Sequence, residues 1–398
     1  MDENYETVCL CALNSIFGYE PRVALALLDS LGSAGAVFGL SEDGKDTVFG
    51  PFGKFRRKIR PEALDAAEEH LRRVRADGAE FIGITSPQYP RRLKACRDAP
   101  VGIFVRGCST PDEIFGRGHY VAVVGTRDIS PYGEQWCRDM VRTMAESGCS
   151  PVIVSGLAYG TDVTAHRTAV ECGLPTVAVM ATGTDTVYPS RHRGFAESLA
   201  RSPGCALVSD YPPGTAPVAL NFLRRNRIIA GLSDCVVLVE SDVRGGGMVT
   251  CRQAFSYDRQ VFALPGRGDD RRSRGCNRLI REGIAEIVES LDGLDSQLGL
   301  PSADDGRGRR GVSRGGEGML GRLSVKYSGM LSGDRLRAMT DILLKIREKS
   351  GIDIDGLCAA TGLPYRNVAE LTALLENDGF ISVDLLRRCS INPGGGRS

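Results

Sequence analysis

Hydrophobic positions along the 398-residue chain follow two different periods. Between about residues 5 and 78, apolar side chains such as Val23, Leu27 and Leu31 recur with the 3.6-residue period of an amphipathic helix. From about residue 80 onward, short β-branched runs alternate with helical stretches, which is typical of a parallel sheet with crossover helices. The pattern therefore predicts a helical domain followed by an α/β domain.

The α/β part contains seven runs that we predict to be strands. They are the FIGIT lead-in and residues 120–124, 152–154, 176–180, 206–209, 235–240 and 261–264. Most are continuous apolar runs, as expected of strands covered on both faces. Ser130 and Pro131 are suited to the N-cap and first position of a helix that ends near Gly148. The predicted fold class is a Rossmann-like, doubly wound parallel sheet.

Two further segments follow this sheet. Residues 296–333 are rich in Gly, Ser and Arg without apolar periodicity, which predicts a flexible linker. Residues 335–385 then follow the order helix, short helix (354–360), TGLP turn, helix and the strand-like FISV, which is the outline of a winged helix-turn-helix. Tyr365, Arg366 and Asn367 begin the last helix, but Glu370 and Glu376 follow, so DNA and protein both stay open as its partner.

The predicted domains are therefore a helical domain (1–78), a Rossmann-like domain (79–295), a linker (296–333) and a winged-helix domain (334–390). The short helices of the first domain, joined by Gly turns, resemble sterile-alpha-motif or helix-hairpin-helix folds. This domain is either an accessory contact for nucleic acid or a partner, or a plain packing domain.

Composition restricts the class of protein. The chain is 42% hydrophobic and 25% charged, without an apolar run long enough to span a membrane. Acidic residues occupy the start, where a secretory signal carries positive charge, so we expect a cytoplasmic protein. The 13 cysteines form no CxxC pair, which predicts free thiols and no metal site. A net charge of +1 means that any polyanion site must come from local clusters of Arg and Lys.

Gly-rich loops follow several of the predicted strands. They are residues 125–130 (GTRDIS), 155–162 (SGLAYGTD), 182–185 (TGTD), 188–193 (YPSRHR) and 240–250 (ESDVRGGGMVT). Ligands of doubly wound sheets bind beyond the carboxyl ends of the strands, and backbone N–H groups at helix N-termini bind anions. A single Gly-rich turn mostly serves to reverse the chain. Their joint occurrence predicts a phosphate-binding rim.

The run FLRRNRIIAGLS adds arginines beside an aromatic ring. Phe222 is followed by Arg224, Arg225 and Arg227 within one helical turn. Arginine on a helix is most often solvated, but Ile228 anchors this helix in the protein. Proteins hold single-stranded nucleic acid by stacking its bases on aromatic rings and binding its phosphates with Arg. The run therefore predicts a single-strand site.

The motifs GTRDISPYG, SGLAYGTDVTAH, TGTDTVYP, FLRRNRIIAGLS, GGGMVT and VFALPG occur in this order. Over about residues 80 to 290 the chain thereby resembles the DNA-processing protein A (DprA/Smf) family. The resemblance implies a homodimer that binds single-stranded DNA and loads RecA recombinase in natural transformation or recombination, without cofactor or catalysis. The loops and the resemblance together predict these DNA-binding residues: Arg127, Ser155, Gly156, Arg191, Phe222, Arg224, Arg225, Asn226, Arg227, Arg244 and Gly246.

The chain departs from the family pattern at several of these positions. Residues 244–248 read Arg-Gly-Gly-Gly-Met where the family has Lys-Ser-Gly-Ser-Leu, so phosphate binding there must rely on Arg244 and backbone N–H groups. Leu223 replaces a Pro, and Ser190 replaces a basic residue for which Arg191 or Arg193 can substitute.

A nucleotide-binding or nucleoside-hydrolysing enzyme is the alternative. Carboxylates of Asp162, Asp185, Asp210 and Glu240 follow strands, with His166 and His192 as candidate bases. However, no nucleophile is evident, no Walker A sequence occurs, and Cys251 and Gln253 occupy the loop where nucleoside-hydrolysing relatives carry Thr and a downstream Glu. A transcription regulator acting through the winged module would leave the rim unexplained. We therefore predict no enzyme.

Overall fold

The computed structural model describes residues 3–301, 323, 326–327, 333–348, 352–383 and 388–391. The chain divides into two compact units, Met1–Gly306 and Arg307–Ser398. No helix of the described residues is long and apolar enough to cross a membrane.

The first unit contains fourteen described α-helices and nine described strands. The helices are α1 Glu3–Phe17, α2 Pro21–Leu31, α3 Ala34–Phe38, α4 Glu42–Phe49, α5 Pro61–Ala76, α6 Arg91–Lys94, α7 Pro111–Phe115, α8 Pro131–Glu146, α9 Thr161–Glu171, α10 Arg193–Ala200, α11 Ala219–Leu232, α12 Gly246–Ser256, α13 Arg274–Arg281 and α14 Leu294–Gln297. The strands are β1 Ala79–Gly83, β2 Gly102–Arg106, β3 Tyr120–Val124, β4 Val152–Ser155, β5 Thr176–Val179, β6 Ala206–Ser209, β7 Cys235–Leu238, β8 Gln260–Ala263 and β9 Glu286–Ile287.

All nine strands form one sheet, in the order β1-β2-β6-β5-β4-β3-β7-β8-β9. The chain winds from β3 outward to β6 and then returns to add β7, β8 and β9 on the other side of β3. The seven strands from β6 to β9 pair in parallel, whereas β2 joins β6 and β1 in antiparallel orientation. This is the predicted Rossmann-like, doubly wound fold, with its change of direction between β3 and β7.

The six central strands lie where the sequence predicts them, and β2 and β9 are additions. β2 pairs antiparallel with β1, and a side chain at Gly102 would meet the ring of Phe81. β9 has only two residues, paired with β8 through Ala263 and Ile287. Two residues are too few to show a period-2 pattern, which explains why β9 was not predicted from the sequence.

Helices cover both faces of the sheet. Val121 and Ile153 pack with Met140 of α8 on one face, and their neighbours Ala122 and Val154 pack with helix α11 on the other. Successive strand residues point to opposite faces, so a strand buried on both faces must be apolar throughout. The predicted start of α8 is also confirmed, because the Ser130 hydroxyl accepts a hydrogen bond from the Gly133 N–H at 3.0 Å.

The N-terminal helices share a core with the sheet. Leu13 and Phe17 of α1 belong to the same buried cluster as Ile103 of β2. Asn14 is buried between them and donates to the carbonyl of Asp210, at the end of β6, at 2.7 Å. This bond connects α1 to the carboxyl edge of the sheet, while the boundary at residue 78 stays a prediction.

The second unit has its own small core. It contains α15 Gly333–Glu348, α16 Ile354–Thr361 and α17 Tyr365–Asn377, with strands β10 Ile352–Asp353, β11 Ile381–Val383 and β12 Arg388–Ile391. The strands pair antiparallel in the order β10-β12-β11. Leu357, Leu371 and Phe380 are fully buried between helices and sheet. Glu370 forms an ion pair with Arg335 at 2.6 Å.

Most of the predicted linker, 296–333, lies outside the described residues. Leu298 and Leu300 at its start are described, and both are buried in the core beneath α8.

We predict that ending the chain at residue 295 rather than 301 lowers the free energy of unfolding by about 3–6 kcal/mol, because two buried leucines are lost. Urea denaturation of the two truncated chains measures the difference. Equal midpoints and slopes would contradict the packing.

Candidate nucleic-acid interface

An exposed cluster of aromatic rings and one arginine lies at the carboxyl ends of the parallel strands. The guanidinium of Arg127, in the loop after β3, lies 5.2 Å from the ring centroid of Phe222 on α11. Phe222 in turn meets Tyr188, in the loop after β5, edge to face at 5.3 Å. Arg127 is exposed, Phe222 is half-buried and Tyr188 is 43% exposed. We call these three residues the Arg-aromatic patch. The sheet thus brings together Arg127 and Phe222, two of the predicted DNA-binding residues.

Two aromatic residues near this edge were not predicted as stacking faces. Tyr188 belongs to the patch itself. Tyr159, in the loop after β4, is 41% exposed and packs edge to face on His192 at 4.9 Å. The available signal was the occurrence of tyrosine inside the Gly-rich loops that follow strands.

Three predicted cations are exposed and unpaired. Arg127, Arg191 and Arg244 form no ion pair with any residue that the structure describes. Arg224 is half-buried: its Nη1 donates to the carbonyl of Tyr19 at 2.6 Å, and its guanidinium lies 4.3 Å from the Tyr19 ring centroid. The three exposed arginines are therefore available to phosphate groups, whereas Arg224 connects α11 to the N-terminal helices.

Arg225 lies inside the protein. Its Nη1 donates to the carbonyls of Gly156 and Val179, which follow β4 and end β5. Burial lowers the pKa of Arg225 to about 10, and the nearby Asp162 carboxylate acts in the opposite direction. The side chain therefore stays charged at neutral pH and joins the ends of two neighbouring strands.

Arg227 and Asn226 are buried as well. Arg227 donates to the Asp210 carboxylate at 2.5 Å and also to the carbonyl of Asp98. Asn226 donates to the carbonyl of Gly246 at 3.3 Å. Arg225, Asn226 and Arg227 were predicted to contact DNA directly; they lie at the carboxyl ends of the strands but are buried, which does not support direct contact. Residues 225–232 of α11 are all buried, and protein carboxylates and carbonyls bind the guanidinium groups there.

The loop after β4 is already occupied by a carboxylate of the protein. Asp162 accepts hydrogen bonds from the N–H groups of Gly156 at 3.2 Å and Ala158 at 3.4 Å. The Ser155 hydroxyl is fully buried and donates to the carbonyl of Val123 at 2.6 Å. Neither Ser155 nor the Gly156 N–H is therefore free for a phosphate, contrary to the prediction from this loop.

The other strand-end carboxylates are also engaged. Glu240 accepts from the N–H of Ser130 at 2.9 Å, and Asp185 accepts from the N–H of Gly214 at 2.9 Å. Asp210 pairs with Arg227. These carboxylates hold loops in place, as Asp162 does. No group of three metal-ligating side chains occurs among the residues described.

The start of α12 differs from these loops. Gly246, its first residue, is exposed, and a side chain there would meet open space. No acidic residue lies in the first turn of α12, and among the described residues no carboxylate accepts from Gly246 or Gly247. Asp242 instead accepts from the N–H of Val243 at 2.7 Å and binds Arg271. The positive end of an 11-residue helix is thus open beside Arg244.

Comparison with known proteins places this chain in a family. The family model described as DNA recombination-mediator protein A matches residues 80–299. The chain belongs to this family. Protein Smf of Escherichia coli (strain K12) is 42% identical over 222 residues, which cover 55% of this chain and 57% of that protein. DNA processing protein DprA of Bacillus subtilis (strain 168) is 35% identical over 222 residues, which cover 56% of this chain and 72% of that protein.

A solved structure of the family supports the fold. The X-ray structure of DNA processing protein A from Streptococcus pneumoniae aligns with a TM-score of 0.60 and 30% identity, covering 74% of this chain and 96% of that one. The matched segment spans less than two thirds of the Escherichia coli protein, at 57% of its length. Membership of the recombination-mediator family and the Rossmann-like fold are thus established together.

His166, a candidate base, is a buried residue of α9. Its Nδ1 lies 2.6 Å from the Thr176 hydroxyl, and its Nε2 has no partner among the described residues. Burial, aided by the charge of Arg225, lowers the pKa of His166 from 6.5 to about 3. The side chain is neutral in the folded protein at neutral pH and has no access to a ligand.

We predict that His166 makes the protein lose stability in acid. Below pH 6.5 the unfolded chain binds a proton at His166, whereas the folded chain does so only near pH 3. The free energy of unfolding therefore falls as the pH drops, by up to about 3 kcal/mol between roughly pH 7 and pH 4. His166→Gln should remove this part of the pH dependence in urea denaturation. His70→Gln, at a half-buried position, should remove less; an equal effect of both variants would contradict the assignment.

Proposed function

We propose that this protein binds single-stranded DNA at the Arg-aromatic patch and the adjoining N-terminus of α12, without chemically changing the DNA. The observation that carries the proposal is the guanidinium of Arg127 over Phe222 beside exposed Tyr188. Rings of this kind stack with any base, and the arginine is suited to the backbone phosphate. The arrangement favours a flexible single strand, because stacking requires bases that are free of a duplex.

Phosphate groups on either side of the stacked bases have further partners. Arg191 and Arg244 are exposed cations, and the N–H groups at the start of α12 supply the donors that the family pattern provides with hydroxyls. The interior residues Arg225, Asn226 and Arg227 act indirectly. By holding the ends of β4, β5 and β6 and the start of α12, they position the loops of the interface.

The wider role follows from family membership. We propose that the protein serves recombination, including natural transformation, by protecting a single strand and loading a RecA recombinase on it as a homodimer. None of the 13 cysteines forms a disulfide, which supports a reducing, cytoplasmic location. The engaged strand-end carboxylates do not support the enzyme alternative.

The two flanking modules belong to the same proposal. The order α15, β10, α16, α17, β11, β12 and the small antiparallel sheet support a winged-helix interpretation of the second unit. The N-terminal helices support a sterile-alpha-motif-like interpretation. Pairing of Glu370 with Arg335 neutralises one acidic group on α17, the helix that enters a groove in winged helices that bind duplex DNA.

We predict that Arg127→Ala reduces the salt dependence of single-strand binding. Each neutralised phosphate contributes about 0.7 to the slope of log affinity against log salt, so the slope should flatten by about that amount. Fluorescence anisotropy of labelled oligothymidylate over a salt series measures it. Arg97→Ala is the matched control, because Arg97 is exposed and forms no ion pair with a described residue. If Arg127→Ala binds as the parent does at every salt concentration, the patch is not the DNA site.

We predict a different effect at Phe222. Phe222→Leu keeps an apolar side chain but removes the ring, and should weaken single-strand binding by about 1–3 kcal/mol with an unchanged salt slope. Phe222→Tyr should bind as the parent does, because it retains a stacking face. The same anisotropy titrations test both variants. Equal binding by Phe222→Leu and the parent would exclude stacking on this ring.

A further inference from the structure

A strongly basic segment lies outside the patch, in the N-terminal part of the first unit. Residues 50–61 read GPFGKFRRKIRP, with five cations and no acidic residue. Phe52 is 92% exposed, the highest value among the large hydrophobic residues that are exposed. Arg57 and Lys58 are exposed and form no ion pair with a residue that the structure describes. We call residues 50–61 the basic segment.

The segment is attached to the fold by a neighbouring ring. Phe55 packs on Phe17 of α1 with 4.4 Å between ring centroids, and Ile59 is buried in the main core. Phe52 and Arg57 are therefore displayed on an anchored turn. An exposed aromatic ring among cations combines the two groups by which proteins hold single-stranded nucleic acid.

A cleft of about 310 Å³ opens beside this segment, between α1 and α5. Ala12, Ala63 and Ala67 contribute apolar surface, while Arg57, Lys58 and Arg60 contribute positive charge. The lining includes one acidic residue, Glu62, which pairs with Arg60 at 3.7 Å through largely exposed side chains. Such exposed pairs are weak, so Arg60 remains available to a phosphate. The volume is at the lower end of small-ligand sites and suits a single nucleotide.

The basic segment is connected to the Arg-aromatic patch through Tyr19. Lys54 pairs with Glu20, which adjoins Tyr19. The Tyr19 hydroxyl donates to the side-chain oxygen of Asn221 at 2.9 Å, and Arg224 stacks on the Tyr19 ring. Asn221 and Arg224 flank Phe222 on α11. Tyr19 is itself 49% exposed, so an aromatic face lies between the two basic surfaces.

We propose that the bound single strand continues from the Arg-aromatic patch across Tyr19 onto the basic segment. Arg57 and Lys58 bind its phosphates there, and Phe52 stacks with a base. The N-terminal helices thus take part in DNA binding, and they lengthen the stretch of strand that one protein molecule covers. This inference rests on the proposed function, because it extends the same site.

The test uses the full-length protein and two oligothymidylates, of about 6 and about 16 nucleotides, which span the usual site sizes of single-strand binding domains. Arg57→Ala/Lys58→Ala should bind the short strand as the parent does. Its affinity for the long strand should fall, and the salt slope for that strand should flatten by about 1.4, for two phosphates. Phe52→Ala should weaken long-strand binding about tenfold with an unchanged slope, and Phe52→Tyr should restore it.

Lys94→Ala/Arg97→Ala is the matched control, since it also removes one Lys and one Arg. Both residues are exposed and form no ion pair with a described residue. Lys94 belongs to the same helix as Arg92, which pairs at 2.7 Å with Asp234 before β7, at the opposite edge of the sheet. This variant should bind both strands as the parent does.

The outcomes separate the two proposals. If the parent binds neither strand, the proposed function fails. If the parent binds both and Arg57→Ala/Lys58→Ala binds the long strand equally well, the extension is wrong and the patch stands. Equal weakening of both strands by this variant, or a loss of the same size in the control, would also overturn the extension. Either of these last two results would mean that the basic segment acts through overall charge and not as a second contact with the strand.

Discussion

Two buried arginines on α11 hold the carboxyl edge of the sheet together. Arg225 joins the end of β5 to the loop after β4, beside the Asp162 carboxylate, and Arg227 pairs with Asp210 after β6. A buried charge without its partner is strongly destabilising, so each arginine and each carboxylate depends on the other. Because α11 is fixed in this way, Phe222 at its start is held at the surface beside the loop after β3.

The same internal charges explain which anion sites remain open. Asp162 and Glu240 already accept the N–H groups that a phosphate would otherwise use after β4 and at the start of α8. The open start of α12 and the exposed arginines are left for an external anion. Aromatic rings and exposed guanidinium groups tolerate any base, so the proposed interface would bind a strand without regard to its sequence.

Much of the fold was predictable because burial on both faces requires continuous apolar strands, and the six central strands were located from that pattern alone. The site was only partly predictable. Arg127 and Phe222 were both named as DNA-binding residues, and they meet in the structure. Arg225 and Arg227 carry the same side chain as Arg127 and were expected to contact DNA as well, yet they lie inside the protein. Helical periodicity cannot reveal a polar residue buried by a partner that is distant in sequence.

The sequence by itself determined the six central strands, their crossover helices, the Gly-rich loops and the residue types at the strand ends, since each depends on local pattern. Only the tertiary structure decided which of these groups face solvent. Asp210 is 17 residues from Arg227, and Gly156 is 69 residues from Arg225. Long-range contacts of this kind convert predicted DNA ligands into internal supports. They also bring Tyr19, 202 residues away from Asn221, to the edge of the interface.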